Sequence, residues 1–346
     1  MITLKDLAGR LGVAPSTVAR ALADHPRISS KTKKRVQRLA REMGYVPNAA
    51  AKAMRVQVGS LVGLLIPDIE NNFYAQIAKA FSDVCNAGGF QLILAVSEDE
   101  PEIEERHVRA LVSARCAGIA IVPTAAMTSQ SITLLSSGNA AQLIRRNPAL
   151  KLEWHGIDDV AALRNATRLL LDLNHRRIGL VCGDETFSSG RDRYEGFRSA
   201  LEASGVAVDP VLVQRGLPRA SFAESAVNRL ENLEYPPTAI IAAGAGLSEG
   251  MLNAVATWSP SRRREVSLVG YGESRVYKWW GDSGLTTIEL PVRRIAAELC
   301  STLVGRAAGR ETPSLPVENR LYDSHLVVRG STRVDVKSGS VSHDMG

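Results

Sequence analysis

The sequence lacks what would place it in a membrane, an oxidising compartment or around a metal. Its longest apolar runs, near residues 61–67 and 117–123, fall far short of the roughly 20 residues a spanning helix needs. No apolar signal segment opens it, because charges and capping residues interrupt the first stretch. A cytoplasmic protein is therefore expected. Cys85, Cys116, Cys182 and Cys300 are widely spaced with no C-x-x-C pair, which points to reduced core thiols rather than a disulfide or metal framework. The six histidines are scattered, without H-E-x-x-H or similar spacing. Neither metal nor cofactor is expected. At 346 residues, 45% hydrophobic and 23% charged, the chain suits two or three compact soluble units.

Negative charge is scarce at one end only. Residues 1–58 hold 12 Lys+Arg against 3 Asp+Glu, a net of +9, while the remainder holds 30 against 33, a net of −3. A basic head on a slightly acidic body is the electrostatic footprint of nucleic-acid binding. The alternative is that Lys31, Lys33, Lys34, Arg35, Arg38 and Arg41 merely solvate a helix face. The surrounding pattern argues against it. Leu4, Leu7, Ala8 and Leu11 recur at i, i+3, i+4 and i+7 and form one apolar helical face. Thr3 followed by Asp6 is close to a capping box. Gly12-Val13 makes a turn, and Pro15 suits the first position of a second helix. Val18, Ala21 and Leu22 point inward, leaving Pro15, Ser16, Ala19 and Arg20 outward. A third helix starts at Ser29, with Val36, Leu39, Ala40 and Met43 inside and Gly44 as its stop. Two short amphipathic helices around a Gly-containing turn read as a helix-turn-helix.

From residue 60 the pattern alternates apolar strands with helical segments. Strands are expected at 61–66, 91–96, 118–122, 142–145, 178–182, 211–214, 239–242, 266–269 and 325–328. Helices are expected at 72–87, 102–113, 131–137, 160–173, 191–204, 221–233, 247–257 and 292–304. Strands apolar on both faces and separated by helices mean doubly wound parallel sheets. Two such sets imply two lobes whose strand C-termini face a common cleft. Residues from Ser331 onward are Ser/Gly-rich and are expected to be frayed.

Residues 2–8 (Ile-Thr-Leu-Lys-Asp-Leu-Ala), 17–22 (Thr-Val-Ala-Arg-Ala-Leu) and 44–51 (Gly-Tyr-Val-Pro-Asn-Ala-Ala-Ala) resemble the head of the LacI/GalR family of lactose- and galactose-type repressors. Looser likeness runs to about Gly330. The resemblance implies a helix-turn-helix head at 1–45, a hinge helix at 46–58 and a periplasmic-binding-protein-like body at 59–330. In the body, one lobe would be 59–158 plus 290–320 and the other 159–289 plus 321–330, with crossings near 156–159, 285–291 and 318–321. A disordered tail would cover 331–346.

The family positions imply base contacts by Pro15, Ser16 and Arg20. Phosphate contacts fall to Thr17, Arg27, Ser29, Lys31, Thr32 and Asn48. A guanidinium such as that of Arg20 can bond O6 and N7 of guanine together. Pro15 offers only apolar contact. Thr17 reads equally as a helix residue bonding its own backbone. Ala14 and Ala19 stand where the family usually carries serine, which removes a cap and a hydroxyl. Ala51 and Met54 match the minor-groove hinge, Met54 as an apolar wedge or simply as a packing residue. In the cleft, Asp68, Asn71, Phe73, Arg145, Arg193, Gly244 and Gly272 match effector positions. Arg193 stands at the family's effector-binding arginine and is suited to bidentate anion capture. Gly244-Ala245 and Gly272 replace the carboxylate-bearing residues that hold sugar hydroxyls. The remaining Arg145, Arg146, Arg191, Arg193, Arg275, Lys278, Trp279 and Trp280 suggest an anionic or aromatic effector, such as a sugar acid or another carboxylate.

The expected function is a cytoplasmic, nucleoid-associated repressor. It would bind a pseudo-palindromic double-stranded operator as a homodimer or a tetramer, with no membrane partner. Two other readings compete. One is a solute-binding protein of the same body architecture, against which the basic head argues. The other is a hydrolase built on the G-x-S-x-G stretch at 246–250, which lacks a suitably placed histidine downstream.

Overall fold

The computed structural model describes residues 2–22, 24–45, 60–281, 283–309 and 319–335. The chain divides into two compact units, residues 1–57 and 58–346.

The first unit is three helices, α1 (Leu4–Leu11), α2 (Pro15–Leu22) and α3 (Ser30–Glu42). The Thr3 hydroxyl accepts from Asp6 N at 3.3 Å, and the Asp6 carboxylate accepts from Thr3 N at 2.8 Å. This reciprocal cap satisfies two otherwise orphaned donors. Gly12 closes α1 at φ +66°, a left-handed angle that a Cβ makes costly. Leu7, Ala8, Leu11, Val18, Ala21, Val36 and Ala40 form the core. They come one face from each helix, as the periodicity requires.

The second unit holds two six-stranded sheets. The first is ordered β11-β5-β4-β3-β1-β2 and the second β12-β10-β9-β8-β6-β7. Their strands are β1 (Leu61–Ile66), β2 (Gln91–Val96), β3 (Gly118–Ile121), β4 (Ala140–Leu143), β5 (Trp154–Ile157), β6 (Ile178–Gly183), β7 (Val213–Gly216), β8 (Ala239–Ala243), β9 (Ser267–Tyr271), β10 (Thr286–Glu289), β11 (Arg320–Tyr322) and β12 (His325–Val327). Every pairing is parallel except β10 with β12. The helices α4 (Asn72–Gly88), α5 (Pro101–Ser113), α6 (Ser129–Ser136) and α13 (Val292–Ala307) belong with the first sheet. With the second go α7 (Asp159–Asp172), α8 (Ser188–Ala203), α9 (Ala220–Glu231), α10 (Ala245–Ala256), α11 (Pro260–Glu265) and α12 (Arg275–Lys278).

The doubly wound reading holds, with local corrections. β5, β10 and β11 are short strands in stretches expected to be bare crossings. β11 keeps Leu321 and Tyr322 in the first sheet, so the chain changes sheets at Asp323-Ser324 rather than before Leu321. β4 begins two residues earlier than expected, at Ala140, because alanines there are fully buried between neighbouring strands. Residues 331–335 are not frayed. The Ser331 hydroxyl accepts from Thr286 N and donates to Leu268 O, both at 2.7 Å, and Asp335 N donates to Leu173 O at 2.8 Å.

Candidate DNA-binding face and interlobe cleft

On the first unit, Pro15, Ser16 and Arg20 are exposed on α2, with Val18 and Ala21 fully buried behind them. Ala14 gives α2 no side-chain cap; its carbonyl accepts from Thr17 N and Val18 N instead. Thr17 is half-buried and Arg27 and Lys31 are exposed. The Ser29 hydroxyl accepts from Thr32 N at 3.2 Å and lies 2.9 Å from the Thr32 hydroxyl. Ser29 therefore caps α3, with Thr32 as its partner, whatever else the two touch. Among the described residues of this unit, only two ion pairs form, Lys33 with Asp24 at 2.7 Å and Arg38 with Glu42 at 3.6 Å. The other cations face solvent. Asn48, Ala51 and Met54 lie outside the described residues.

In the second unit, strand C-termini from both sheets converge on a cavity of ≈ 50 Å³, lined by Asp68, Asn71, Phe73, Arg145, Arg193 and Gly244 among others. Gly272 is not in its wall. Its φ of +85° marks a backbone position that an aspartate would strain. Asp68 and Asn71 also shape the turn into α4: Asp68 accepts from Glu70 N at 2.8 Å, and Asn71 caps Phe73 N at 3.1 Å.

Arg193 is buried on α8. A Cβ on Gly196, one turn further along, would stand 2.2 Å from Val160 O. Glycine there lets α8 close onto the start of α7 and brings Arg193 to Asp159. The guanidinium donates to Asp159 at 3.0 Å and to Ala243 O at 2.9 Å, and lies 4.0 Å over the Tyr271 ring. The Tyr271 hydroxyl donates to the same carboxylate. Burial pushes that hydroxyl well above its ordinary pKa. Burial alone would lower the pKa of Arg193, but Asp159 and Tyr271 more than offset it and the guanidinium stays charged.

Arg145 is paired in the same way. It bonds the Asp99 carboxylate through both terminal nitrogens and lies 4.2 Å over the Phe187 ring. The bare-cation picture of the cleft is thus corrected: each buried arginine carries its own aspartate. Arg146 pairs with Asp192 at 3.2 Å, and Arg191 donates to Glu185 O at 2.8 Å. Arg275, Lys278, Trp279 and Trp280 are not in the cavity wall. Asp99, Asp159, Tyr271, Phe187 and Arg219 were not anticipated. The doubled Asp158-Asp159 was the one available signal. Asp158 caps Ala161 N at 2.9 Å, which leaves the second carboxylate free to turn inward.

Ser248 of the G-x-S-x-G stretch is fully buried on α10. Its hydroxyl accepts from Tyr271 N at 2.7 Å and donates to Gly244 O at 2.9 Å. It fastens α10 to β9 and is no exposed nucleophile. Among the described residues no group of three or more His, Cys, Asp or Glu could hold a metal, and no helix is long and apolar enough to cross a membrane.

Comparison with known proteins meets this geometry at both units. Residues 3–48 match the family described as bacterial regulatory proteins, lacI family, and residues 167–332 match a periplasmic binding protein-like domain. The HTH-type transcriptional repressor CytR of Escherichia coli K12 is 26% identical over 334 residues, covering 96% of each chain. The HTH-type transcriptional regulator DegA of Bacillus subtilis is 28% identical over 340 residues, covering 95% of this chain and 98% of its own. A crystal structure of the lac repressor dimer bound to operator and the anti-inducer ONPF superposes with a TM-score of 0.81 at 22% identity, covering 96% of this chain and 99% of the other. The helix-turn-helix head thus falls in the lacI family match and the two-sheet body in the periplasmic binding protein-like match, and this chain belongs to the LacI family of DNA-binding transcriptional regulators.

Proposed function

We propose that the protein represses transcription by binding a pseudo-palindromic operator as a dimer, under control of a small molecule held between the lobes. The observation that carries this is the contrast in charge: the helix-turn-helix presents cations with few partners, and the cleft presents arginines already balanced. In this reading Arg20 reads a guanine edge and Pro15 and Ser16 tune the neighbouring steps. Thr17, Arg27, Ser29, Lys31, Thr32 and Asn48 grip phosphates, which position the head without specifying sequence. Ala51 and Met54 open the minor groove between half-sites.

Effector binding biases lobe closure and so operator affinity. The effector proposed is a small anion, such as a sugar acid or another carboxylate, because the cleft is organised around two guanidinium–carboxylate pairs. Its anionic group has to compete with an internal aspartate rather than meet a bare cation. Two measurements test the reading. Selection of duplex fragments from a random library by the purified protein should enrich a two-fold-symmetric site, with affinity falling steeply as salt rises; no enrichment in dilute buffer would end it. Thermal-shift screening should find stabilisation of the body by organic acids, whereas stabilisation by neutral sugars alone would remove the anionic part.

A further inference from the structure

We propose that the loop 97–100 acts as an internal ligand. The Asp99 carboxylate occupies Arg145 as a bound carboxylate would, and the neighbouring Glu98 straps the lobes together. The proposal rests on the reading of the cleft as the effector site and says how that site is regulated.

Three backbone positions around the cleft are held where side chains rarely go. Glu98 and Asp99 stand consecutively at φ +56° and +60°, and Ile144 stands at φ +63°. Left-handed angles are uncommon outside glycine and out of place for a β-branched residue. Such outliers persist only where the surroundings over-determine them, and they gather at functional sites. Here they have one geometric result. Arg145 N donates to Leu143 O at 2.7 Å, so Ile144 is the centre of a γ-turn of the strained, positive-φ kind. That turn directs Arg145 into the cleft from the end of β4. The left-handed pair after β2 delivers Asp99 to meet it. The resulting ion pair is 4% and 7% exposed at its two side chains.

The same short loop reaches across to the other lobe. Arg219, at the start of α9, donates to Glu98 O at 2.8 Å, with the Glu98 carboxylate 3.8 Å away. Three more contacts join the lobes beside it. Phe187 lies under Arg145 at 4.2 Å, Arg146 N donates to the Ser188 hydroxyl at 2.9 Å, and the Arg146 guanidinium meets Asp192 at 3.2 Å. Of these groups Asp99, Arg145, Phe187 and Arg219 line the ≈ 50 Å³ cavity, and a space of ≈ 310 Å³ lined by Glu98 and Arg219 adjoins it. Drug-sized ligand pockets run to hundreds of cubic ångströms, so a metabolite seated against Arg145 requires Asp99 to yield. A ligand that displaced Asp99 would also let two strained residues relax, which couples occupancy to release of the lobes.

The test is hydrogen exchange of the full-length protein, dialysed free of small molecules and followed by mass spectrometry. Peptides covering 97–100, 144–148 and 186–192 should be protected in the wild type. Asp99→Ala with Arg219→Ala should speed exchange in all three by about tenfold, while peptides of β1 and β3 report that the fold is intact. In Asp99→Ala alone, added sodium acetate should restore protection, because it returns a carboxylate to Arg145; sodium chloride at equal ionic strength should not. Unchanged exchange in the double variant, or no difference between acetate and chloride, overturns the proposal. Neither result depends on the effector screen, so loss of the strap and loss of the anionic-effector reading are separable.

Discussion

The two units handle positive charge in opposite ways. Among the described residues of the head, Lys33 and Arg38 have carboxylate partners and the remaining cations stand in solvent. In the body, Arg145 and Arg193 are buried, and each is answered by an aspartate within the same unit. The difference follows from solvent. An exposed cation costs little to leave unpaired, gains little from a surface partner, and so remains available to a polyanion. A buried guanidinium without a counter-charge is untenable, and the chain has to supply one before any ligand arrives. Positive residues of similar appearance in the sequence therefore do different work, and burial decides which.

The comparison breaks hardest at Arg193. Arg193→Met would strand Asp159, a carboxylate 4% exposed, and should destabilise the body by about 3–5 kcal/mol. Denaturant unfolding measures this. Adding Asp159→Asn should recover most of the loss, since a neutral pair of similar shape is often tolerated. Equal stability of the single and double variants would show that the ion pair is not what holds Arg193. Loss of an effector response in the single variant alone would therefore not locate the pocket.

Glu104 sharpens the same point through pH. It is fully buried on α5. Thr124 N donates to one of its oxygens at 2.7 Å, and the other has no hydrogen-bond partner among the described residues. Burial raises its carboxyl from the usual 4.5 to about 7. The folded state therefore holds a proton that the unfolded chain releases. This contribution to stability is complete below about pH 4.5 and is lost as pH rises toward 7, on the order of 3 kcal/mol in all. Glu104→Gln should flatten that slope and leave the body more stable at neutral pH. A slope that survives the substitution would assign the proton elsewhere.

How much of this was legible beforehand varies by scale. The helix-turn-helix was, because caps, a Gly turn and 3.6-residue periodicity are local. So was the strand–helix alternation, because parallel strands buried on both faces read as continuous apolar runs. β5, β10 and β11 were not. They are three or four residues long, lie where the chain changes sheets, and are defined by partners distant in sequence, such as Leu321 against Gly156. The cleft was half legible. Arg193 stands just past a recognisable strand-to-helix turn and Arg145 at the end of a strand, but Asp99 sits in a turn and Asp159 beside a capping aspartate, where an acidic residue ordinarily signals only a loop or a helix start. Their inward direction comes from tertiary packing, so the charge balance of the cavity could not be counted along the chain.

On the head, Arg20→Ala should cost about 1–3 kcal/mol of discrimination at one base step and leave body unfolding unchanged. Competition between operator variants measures it. A uniform loss across all variants would make Arg20 a phosphate contact instead.

The smallest expected effect compares two lysines on the same helix. Lys31 is exposed and unpaired, whereas Lys33 is 18% exposed at its side chain and donates to Asp24 through both carboxylate and carbonyl, at 2.7 and 3.0 Å. If availability of charge is what matters, Lys31→Ala should weaken binding to every sequence alike and lower the slope of log affinity against log salt by about 1. Lys33→Ala should change that slope far less and show itself in helix packing, because its ammonium is already engaged within the protein. Equal slopes for the two variants would mean that Asp24 releases Lys33 on DNA, and that pairing in the free head does not predict which cations meet phosphate.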